Sequence, residues 1–256
     1  MRVTRHTRKP IRRHPAMWVP MEEKRTMNEF SVIVGDCREK MSEVGTVDYI
    51  FTGPPDFDEV GLNPKSTKDY IAYYALLKRA FDEMVHVTPV ITVAITDRKC
   101  DGEIIPKHAI VQDLLRTHGW RCISHKIWSK SMKRNLYRLT YTHIMSFAKG
   151  TVKQNHPNVY EIDVLHAKEQ KWQGYSYGIN EEVVWPFILN FTNEGDTVLD
   201  PFLGSGTTAV VCLQNNRNCI GIEICSVTAE IAQKRVSSQG RIPRARKFFE
   251  ERENFD

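Results

Sequence analysis

The stretch from Thr197 to Thr208 constrains the fold of this 256-residue chain more than any other part of it. An apolar run ends at Asp200, glycines follow at Gly204 and Gly206, and residues suited to a helix come directly after them. A strand, a glycine loop and a helix in this order form the repeating unit of doubly wound α/β folds. Glycines in such a loop permit a tight turn and let the backbone approach a ligand closely.

A second segment, residues 48–57, has the sequence Asp-Tyr-Ile-Phe-Thr-Gly-Pro-Pro-Asp-Phe. It predicts a buried strand that runs into the rigid pair Pro54 and Pro55. Proline fixes φ and donates no backbone hydrogen bond, so carbonyl groups beside the pair are held in place and are available as acceptors. Such carbonyls suit an exocyclic amino group, although a Pro-Pro pair taken alone is also typical of a turn that only ends a strand.

The rest of the chain alternates between strands and helices. Strands are predicted at 30–34, 47–51, 90–95, 122–128, 139–147, 196–200 and 218–223. Helices are predicted from a cap at Ser66 or Thr67 through Val87, and at 108–118, 181–193, 206–215 and 226–237. This alternation predicts an α/β fold with a Rossmann-like, doubly wound, mostly parallel sheet. The middle of the chain, about 120–178, has hairpin character and is expected to form a small insertion on that sheet.

Composition sets the organisation around this domain. Residues 1–28 are expected to be a basic, flexible arm, 29–237 the main domain and 238–256 a charged tail. No apolar run is long enough for a bilayer and no signal core follows the basic start, so a cytoplasmic protein is expected, away from membranes. The six cysteines are scattered without a Cys-x-x-Cys pair, which favours a reduced compartment and no metal site.

The strand at 218–223 ends in Glu223, a carboxylate that can accept two hydrogen bonds from a ribose diol. The loop before it lacks the third glycine of the dinucleotide fingerprint and the Gly-Lys-Ser/Thr ending of a P-loop. An adenosine-containing ligand without a pyrophosphate therefore fits better than NAD or ATP. Any Rossmann-like nucleotide binder, or a purely structural turn, remains an alternative at this point.

With Gly221-Ile-Glu223 downstream, the loop from Asp200 resembles the S-adenosylmethionine site of the DNA amino-methyltransferases. In that family the Asp-Pro-Phe-x-Gly-Ser-Gly loop wraps the methionine part of the cofactor and the later acid holds the ribose. The resemblance implies that Glu223 takes the ribose role. It also implies that the cofactor is surrounded by Asp200, Pro201, Phe202, Gly204, Ser205, Gly206 and Thr207.

The order of the segments is similar to that of the beta-group of this family, over about residues 31–237. There the catalytic strand comes first, a target-recognition region follows and the cofactor loop comes last. The resemblance places Asp36, with Cys37 beside it, near the adenine of the cofactor, and makes 120–178 the target-recognition region. It assigns the catalytic loop to Gly53, Pro54, Pro55, Asp56 and Phe57.

That loop departs from the family pattern, in which Asp, Asn or Ser precedes Pro-Pro and an aromatic residue follows. Gly53 offers no side-chain acceptor, and Asp56 cannot stack on a base as an aromatic ring does. Phe57 is expected to supply the stacking, and Asp56 or Asp58 the acceptor. Thr52 before Gly53 is similar to the Thr-Ser-Pro-Pro-Tyr form of cytosine-N4 enzymes, which slightly favours N4 of cytosine over N6 of adenine.

The net charge is +5, but the basic residues are clustered. The segment 126–138 is expected to contact the phosphates of double-stranded DNA through Lys126, Lys130, Lys133, Arg134 and Arg138. A solvated surface loop is the alternative for this segment. The predicted function is a site-specific DNA methyltransferase that acts on a flipped base. The alternative is a catalytically altered relative that binds nucleic acid or modifies another substrate; the oligomeric state stays open.

Overall fold

The computed structural model describes residues 28–130, 139–155, 162–172 and 175–240, so residues 1–27 of the predicted arm and 241–256 of the predicted tail lie outside the described part. Within these ranges the strands are β1 (Phe30–Val34), β2 (Tyr49–Thr52), β3 (Val90–Ile95), β4 (Arg98–Cys100), β5 (Glu103–Ile105), β6 (Arg121–Ser129), β7 (Tyr141–Ala148), β8 (Val164–His166), β9 (Gln170–Trp172), β10 (Tyr175–Gly178), β11 (Thr197–Asp200) and β12 (Asn218–Glu223). The helices are α1 (Cys37–Lys40), α2 (Thr67–Val87), α3 (Lys107–Thr117), α4 (Glu181–Phe191), α5 (Thr207–Gln214) and α6 (Ser226–Gln239).

Eight strands form one sheet in the order β1-β12-β11-β2-β3-β7-β6-β8. The neighbours from β1 to β3 are all parallel, whereas β7 runs antiparallel to both β3 and β6. The predicted α/β fold with a mostly parallel sheet is confirmed. In such a sheet the loops that follow the parallel strands meet at one edge, where ligands of doubly wound folds bind.

Helices cover both faces of this sheet. On one face α2 packs Leu77 and Phe81 against Ile50 of β2, and on the other α4 packs Phe187 against Phe51. Neighbouring residues of β2 point to opposite faces, and both faces are buried, which is why the strand is apolar without alternation. The sheet therefore forms the middle layer of three, and its ends are the surfaces that remain for a site.

The helix boundaries follow local capping signals. Ser66 accepts a hydrogen bond from the Asp69 amide at the start of α2, and Asn180 accepts one from the Glu182 amide at the start of α4. Helix α4 continues through Pro186, which is its sixth residue and is buried. In the described part of the chain no helix combines the length and the apolar character needed to cross a membrane.

The middle of the chain differs from the expectation in how it joins the fold. Strands β6 and β7 extend the main sheet beyond β3 rather than standing apart from it, and β8 pairs in parallel with β6. Two short hairpins, β4–β5 and β9–β10, were not predicted. Strands of three or four residues show no readable period, because their pairing partners and not their own sequence determine them. The recognition role of 120–178 stays a prediction.

Candidate active site

A cavity of about 680 Å³ opens at the edge of the sheet where the parallel strands end. Residues that follow β1, β2, β3 and β11 line it, together with the end of β12 and parts of β6 and β7. Gly53, Pro54 and Pro55 contribute to one part of the lining, and Phe202, Gly204 and Glu223 to another. The structure thus brings the two segments singled out in the sequence to one cavity.

Glu223 is held in place by the backbone around it. Its Oε2 accepts a hydrogen bond from the Gly204 amide at 2.9 Å, and its Oε1 accepts one from the Cys225 amide at 3.0 Å. Strand β12 lies between β1 and β11, so its end comes next to the glycine loop that follows β11. Glu223 therefore adjoins this loop, and each carboxylate oxygen keeps a further lone pair for a ligand.

Asp36, Cys37, Pro201 and Phe202 also line this part of the cavity. Asp36 caps α1, and its carboxylate binds the Arg38 guanidinium, whose hydrogen bond holds the pKa of Asp36 below its usual value. Burial, together with the neighbouring Asp36 charge, raises the pKa of the Cys37 thiol to about 12, so that thiol is neutral and unreactive at physiological pH. These residues offer hydrogen-bonding groups and apolar surface, but no nucleophile.

Four residues expected around the cofactor do not line the cavity: Asp200, Ser205, Gly206 and Thr207. Asp200 points into the protein, where it accepts hydrogen bonds from Thr52 at 2.8 Å and from Thr208 at 2.7 Å. Burial raises its pKa to about 6, against the effect of those hydrogen bonds. The contact of Asp200 with the cofactor therefore stays a prediction, and in this structure the carboxylate is directed away from the cavity. Its carboxylate ties the end of β2 to β11 and α5 beneath the loop.

The remaining loop residues serve packing. Arg235 of α6 is buried and donates hydrogen bonds to Ser205 Oγ at 3.0 Å and to Thr207 Oγ1 at 2.9 Å. Gly206 has φ +80°, and a Cβ there would lie 3.1 Å from the Cβ of Ala232. Gly206 is needed for its backbone conformation and for the close approach of α6, because any side chain would meet that helix.

The proline loop is fixed from both sides. The Tyr73 hydroxyl of α2 donates a hydrogen bond to the Pro55 carbonyl at 2.8 Å. A Cβ at Gly53 would lie 3.0 Å from Cδ1 of Ile179, so the space beside Gly53 is filled by a residue that precedes α4. The departure from the family pattern at Gly53 therefore lies against a residue just ahead of α4.

Phe57 does not face the cavity. It is fully buried and stacks on the Tyr73 ring, with the ring centroids 4.0 Å apart. The stacking of Phe57 on a base stays a prediction, and in this structure the ring is part of the core. A 3₁₀ turn at Asp58–Val60 follows directly.

Asp56 lines the cavity but is held by cations. Lys107 Nζ lies 2.9 Å from its Oδ1, and Arg98 Nη1 lies 3.3 Å from its Oδ2. Burial opposes ionisation of Asp56, yet the charge and hydrogen bond of Lys107, the Phe57 amide and the Arg98 charge outweigh it and lower its pKa. Burial lowers the pKa of Lys107 despite the attraction of Asp56. Asp56 is thus an ionised anchor of the loop.

The basic segment divides into two parts. Lys126 is only 7% exposed and pairs with Asp163 at 2.9 Å, because it lies on β6 and faces a neighbouring segment. The contact of Lys126 with DNA stays a prediction, and in this structure its ammonium group is paired within the protein. Lys130 lines the cavity and lies 3.3 Å from Glu169. The predictions for Lys133, Arg134 and Arg138 concern residues outside the described ranges.

Sequence reasoning missed five residues that shape the site: Tyr73, Arg98, Lys107, Ile179 and Arg235. Each is distant in the chain from the segment it supports, and no local pattern marks it. Arg235 is buried, which its charge does not suggest in the sequence. The sequence gives one indication that such residues exist. Gly53 and Asp56 depart from the family pattern, so other residues must support the proline loop.

Comparison with known proteins adds independent information. The family model N6_N4_Mtase, described as DNA methylase, matches residues 47–234. The orphan methyltransferase M.BamHII of Bacillus amyloliquefaciens is 30% identical over 141 residues, which are 55% of this chain and 40% of that protein. The type II methyltransferase M2.DpnII of Streptococcus pneumoniae is 32% identical over 49% of this chain and 54% of its own. The chain thus spans about half or less of these relatives.

Solved structures share the fold over most of the chain. TTHA0409 of Thermus thermophilus, a putative DNA modification methylase complexed with S-adenosyl-L-methionine, has a TM-score of 0.68 at 20% identity, covering 84% of this chain and 95% of that one. The cytosine-N4-specific PvuII DNA methyltransferase has a TM-score of 0.68 at 16% identity, covering 82% and 87%. At these identities the likeness establishes the fold alone.

Proposed function

The chain belongs to the DNA methylase family of the N4-cytosine and N6-adenine class, and on that premise we propose that it transfers a methyl group from S-adenosylmethionine to an exocyclic amino group of a base in double-stranded DNA. One observation carries the proposal. The proline loop after β2 and the Glu223–Gly204 pair line the same cavity, so an amino group and a cofactor can meet there.

The cofactor end of the cavity has suitable groups. Glu223 presents a fixed carboxylate that can accept hydrogen bonds from ribose hydroxyls, and Phe202 adds aromatic surface. Ile224 lines the cavity and is 68% exposed, which suits a flat apolar ring such as adenine. S-adenosylmethionine would supply an electrophilic methyl group on a sulfonium. Direct displacement then depends mainly on alignment of the nucleophile.

The target end relies on the backbone. We propose that the Pro54 carbonyl accepts a hydrogen bond from the amino group, since Gly53 offers no side chain and the Pro55 carbonyl already binds Tyr73. Such a bond orients the nitrogen lone pair toward the methyl donor. The anchoring of Asp56 by Lys107 and Arg98 keeps the loop rigid, so little reorganisation is needed at the moment of reaction.

We propose N4 of cytosine as the preferred target, supported by Thr52 ahead of Gly53. The base has to leave the duplex, because the cavity is set into the protein at the edge of the sheet. One observation favours the alternative of a catalytically altered nucleic-acid binder. Ile179 fills the space in which a side-chain acceptor at position 53 would lie.

Mass spectrometry of nucleosides from DNA of expressing cells tests the proposal. We expect N4-methylcytosine, or N6-methyladenine as the second choice, with the wild-type protein and with Glu230→Ala, an exposed change on α6. Glu223→Ala should reduce the modification strongly, because it removes the carboxylate from the cavity. A folded wild-type protein that binds S-adenosylmethionine but produces neither base would establish the alternative.

A further inference from the structure

A group of histidines and one aspartate adjoins the wall of the cavity, outside the residues discussed above. Asp97 follows β3 and lines the cavity, His108 is the second residue of α3, and His143 lies on β7. One potential ligand atom from each of the three lies within 4.8 Å of those of the other two. Three separate elements therefore converge on one point.

The contacts centre on the Asp97 carboxylate. His108 Nδ1 lies 2.7 Å from Oδ2 and 2.8 Å from Oδ1, and the His108 backbone amide donates to Oδ1 at 3.1 Å. His143 Nε2 lies 3.4 Å from Oδ2. Both rings thus direct a nitrogen at the same carboxylate, which the backbone amide orients.

Burial makes this arrangement costly without a further partner. Asp97 is 5% exposed and His143 is 8% exposed, and His143 Nε2 is buried without a hydrogen-bond partner among the described residues. Its other ring nitrogen, Nδ1, lies 2.8 Å from His125 Nε2. With Nδ1–H donating to His125, Nε2 presents a bare lone pair to the Asp97 carboxylate, an arrangement that a cation between them would satisfy. With the proton on Nε2 instead, that nitrogen faces Oδ2 at 3.4 Å, which is longer than a good hydrogen bond.

We propose that Asp97, His108 and His143 bind a divalent transition-metal ion of the Zn²⁺ class. Imidazole nitrogen and carboxylate oxygen are ligands that Zn²⁺ accepts at about 2.0–2.2 Å, and three protein ligands leave one position for water. His125 fits as the outer partner that holds the His143 ring, as the second ring nitrogen of a metal ligand usually requires. The expectation of no metal site, drawn from the cysteines, did not consider these histidines.

The ion would join β3, α3 and β7 beside the cavity. Only His108 has substantial exposure among the three, at 26% of its side chain, so the ion would enter from that side. The short His108–Asp97 contacts would open slightly to admit it. Because an ion that binds only the folded chain stabilises it by mass action, added metal should raise the melting temperature.

The test uses the full chain freed of metal by a chelator and then dialysed. Zinc chloride is titrated against a chromogenic competitor, and cobalt chloride is added separately to record visible d–d absorption. The test variant is His108→Gln. Because His108 is partly exposed, we expect this variant to stay folded. The control is His118→Gln, one residue past the end of α3, where His118 Nε2 lies 2.9 Å from Asp82.

We expect wild type and His118→Gln to bind one Zn²⁺ with equal affinity, and His108→Gln to bind at least about tenfold more weakly and to lose the cobalt bands. Asp97→Asn, which keeps the shape of the side chain, should behave as His108→Gln does. Equal zinc affinity in wild type and both of these variants, or a cobalt spectrum dominated by thiolate charge transfer, would overturn the proposal. The readout does not require methyl transfer, so it is independent of the proposed function.

Discussion

Asp200 and Glu223 are carboxylates at the ends of adjacent strands, and their surroundings give them different roles. Asp200 is buried, and its oxygens accept hydrogen bonds from Thr52, Thr208 and the Phe202 amide. Glu223 is only partly buried and accepts from two backbone amides at the cavity. The first side chain supports the loop from within, and the second remains accessible to a ligand.

The raised pKa of Asp200 makes a prediction about stability. Its folded pKa of about 6 lies above that of an unfolded aspartate, so the stabilisation from its protonated form is complete below about pH 4 and is lost as the pH rises through 6. Asp200→Asn removes this titration. Between pH 4 and 7 the unfolding free energy of the variant should rise relative to wild type by about 2 kcal/mol.

Urea unfolding at several pH values measures this difference. Asp113→Asn, an exposed change on α3, is the control and should follow the pH dependence of wild type. If Asp200→Asn and wild type show parallel profiles from pH 4 to 7, the buried carboxylate does not titrate as inferred.

At the cavity, Glu223→Ala is expected to weaken S-adenosylmethionine binding by at least about tenfold, roughly 1.4 kcal/mol, because it removes the acceptor proposed for the ribose. Glu223→Gln keeps an oxygen that can accept from the Gly204 amide, so its affinity for S-adenosylmethionine should lie between those of wild type and Glu223→Ala. Isothermal titration calorimetry measures the affinities, with Glu230→Ala as control. Unchanged affinity in Glu223→Ala would remove this residue from the cofactor site.

Among the elements, α6 has a role that its sequence did not reveal. Its Arg235 is buried and connects the glycine loop to α4 through Glu181, whose Oε1 lies 2.8 Å from Nη2. One side chain thus fixes the loop, α4 and α6 relative to one another. A charge in such a place is tolerated only because it is paired and hydrogen-bonded.

Arg235→Gln should therefore destabilise the fold by roughly 3–5 kcal/mol, since it removes the buried ion pair with Glu181 and the hydrogen bonds to the loop hydroxyls. Chemical denaturation measures the change. Arg116→Gln, an exposed change on α3, should stay within about 0.5 kcal/mol of wild type. A loss below about 1 kcal/mol for Arg235→Gln would mean that the buried network contributes little.

The helices and strands that could be predicted from the sequence are those that their local residue pattern is enough to specify. Strand β12 was predicted over its full extent, and α2 began at the expected cap, Ser66. Strands β6 and β7 were predicted, but their place in the main sheet was not. The pairing of β3 with β7 joins residues far apart in the chain, and no local pattern specifies it. The hairpin β4–β5 was missed because three residues per strand carry no period.

At the scale of the whole molecule, the net charge of +5 favours binding to DNA. The salt dependence of the binding constant, measured in variants, identifies the basic residues that contact phosphates. The triple change Lys133→Ala, Arg134→Ala and Arg138→Ala should reduce the slope of log K against log salt by about 2–3, because each phosphate that is no longer neutralised removes about 0.9 from that slope. Fluorescence anisotropy with duplex DNA measures these slopes.

Two single changes serve as controls for the salt series. Lys149→Ala lies just past the end of β7, at the opposite edge of the sheet from the cavity, and should leave the slope unchanged. Lys126→Ala should lower stability rather than the slope, because Lys126 is buried beside Asp163. A slope that is equal in the triple variant and in wild type would favour the solvated surface loop instead.

The sequence by itself determined the strand–loop–helix unit at 197–214, the carboxylate at Glu223 and the proline pair after β2. Each depends on neighbouring residues, through backbone conformation and hydrophobic patterning, and can therefore be read locally. Only the tertiary structure decided which side chains of those motifs face the cavity. Asp200 and Phe57 turn inward because Thr52, Thr208 and Tyr73 offer buried partners there, and two of those partners, Thr52 and Tyr73, lie outside the motif that they support.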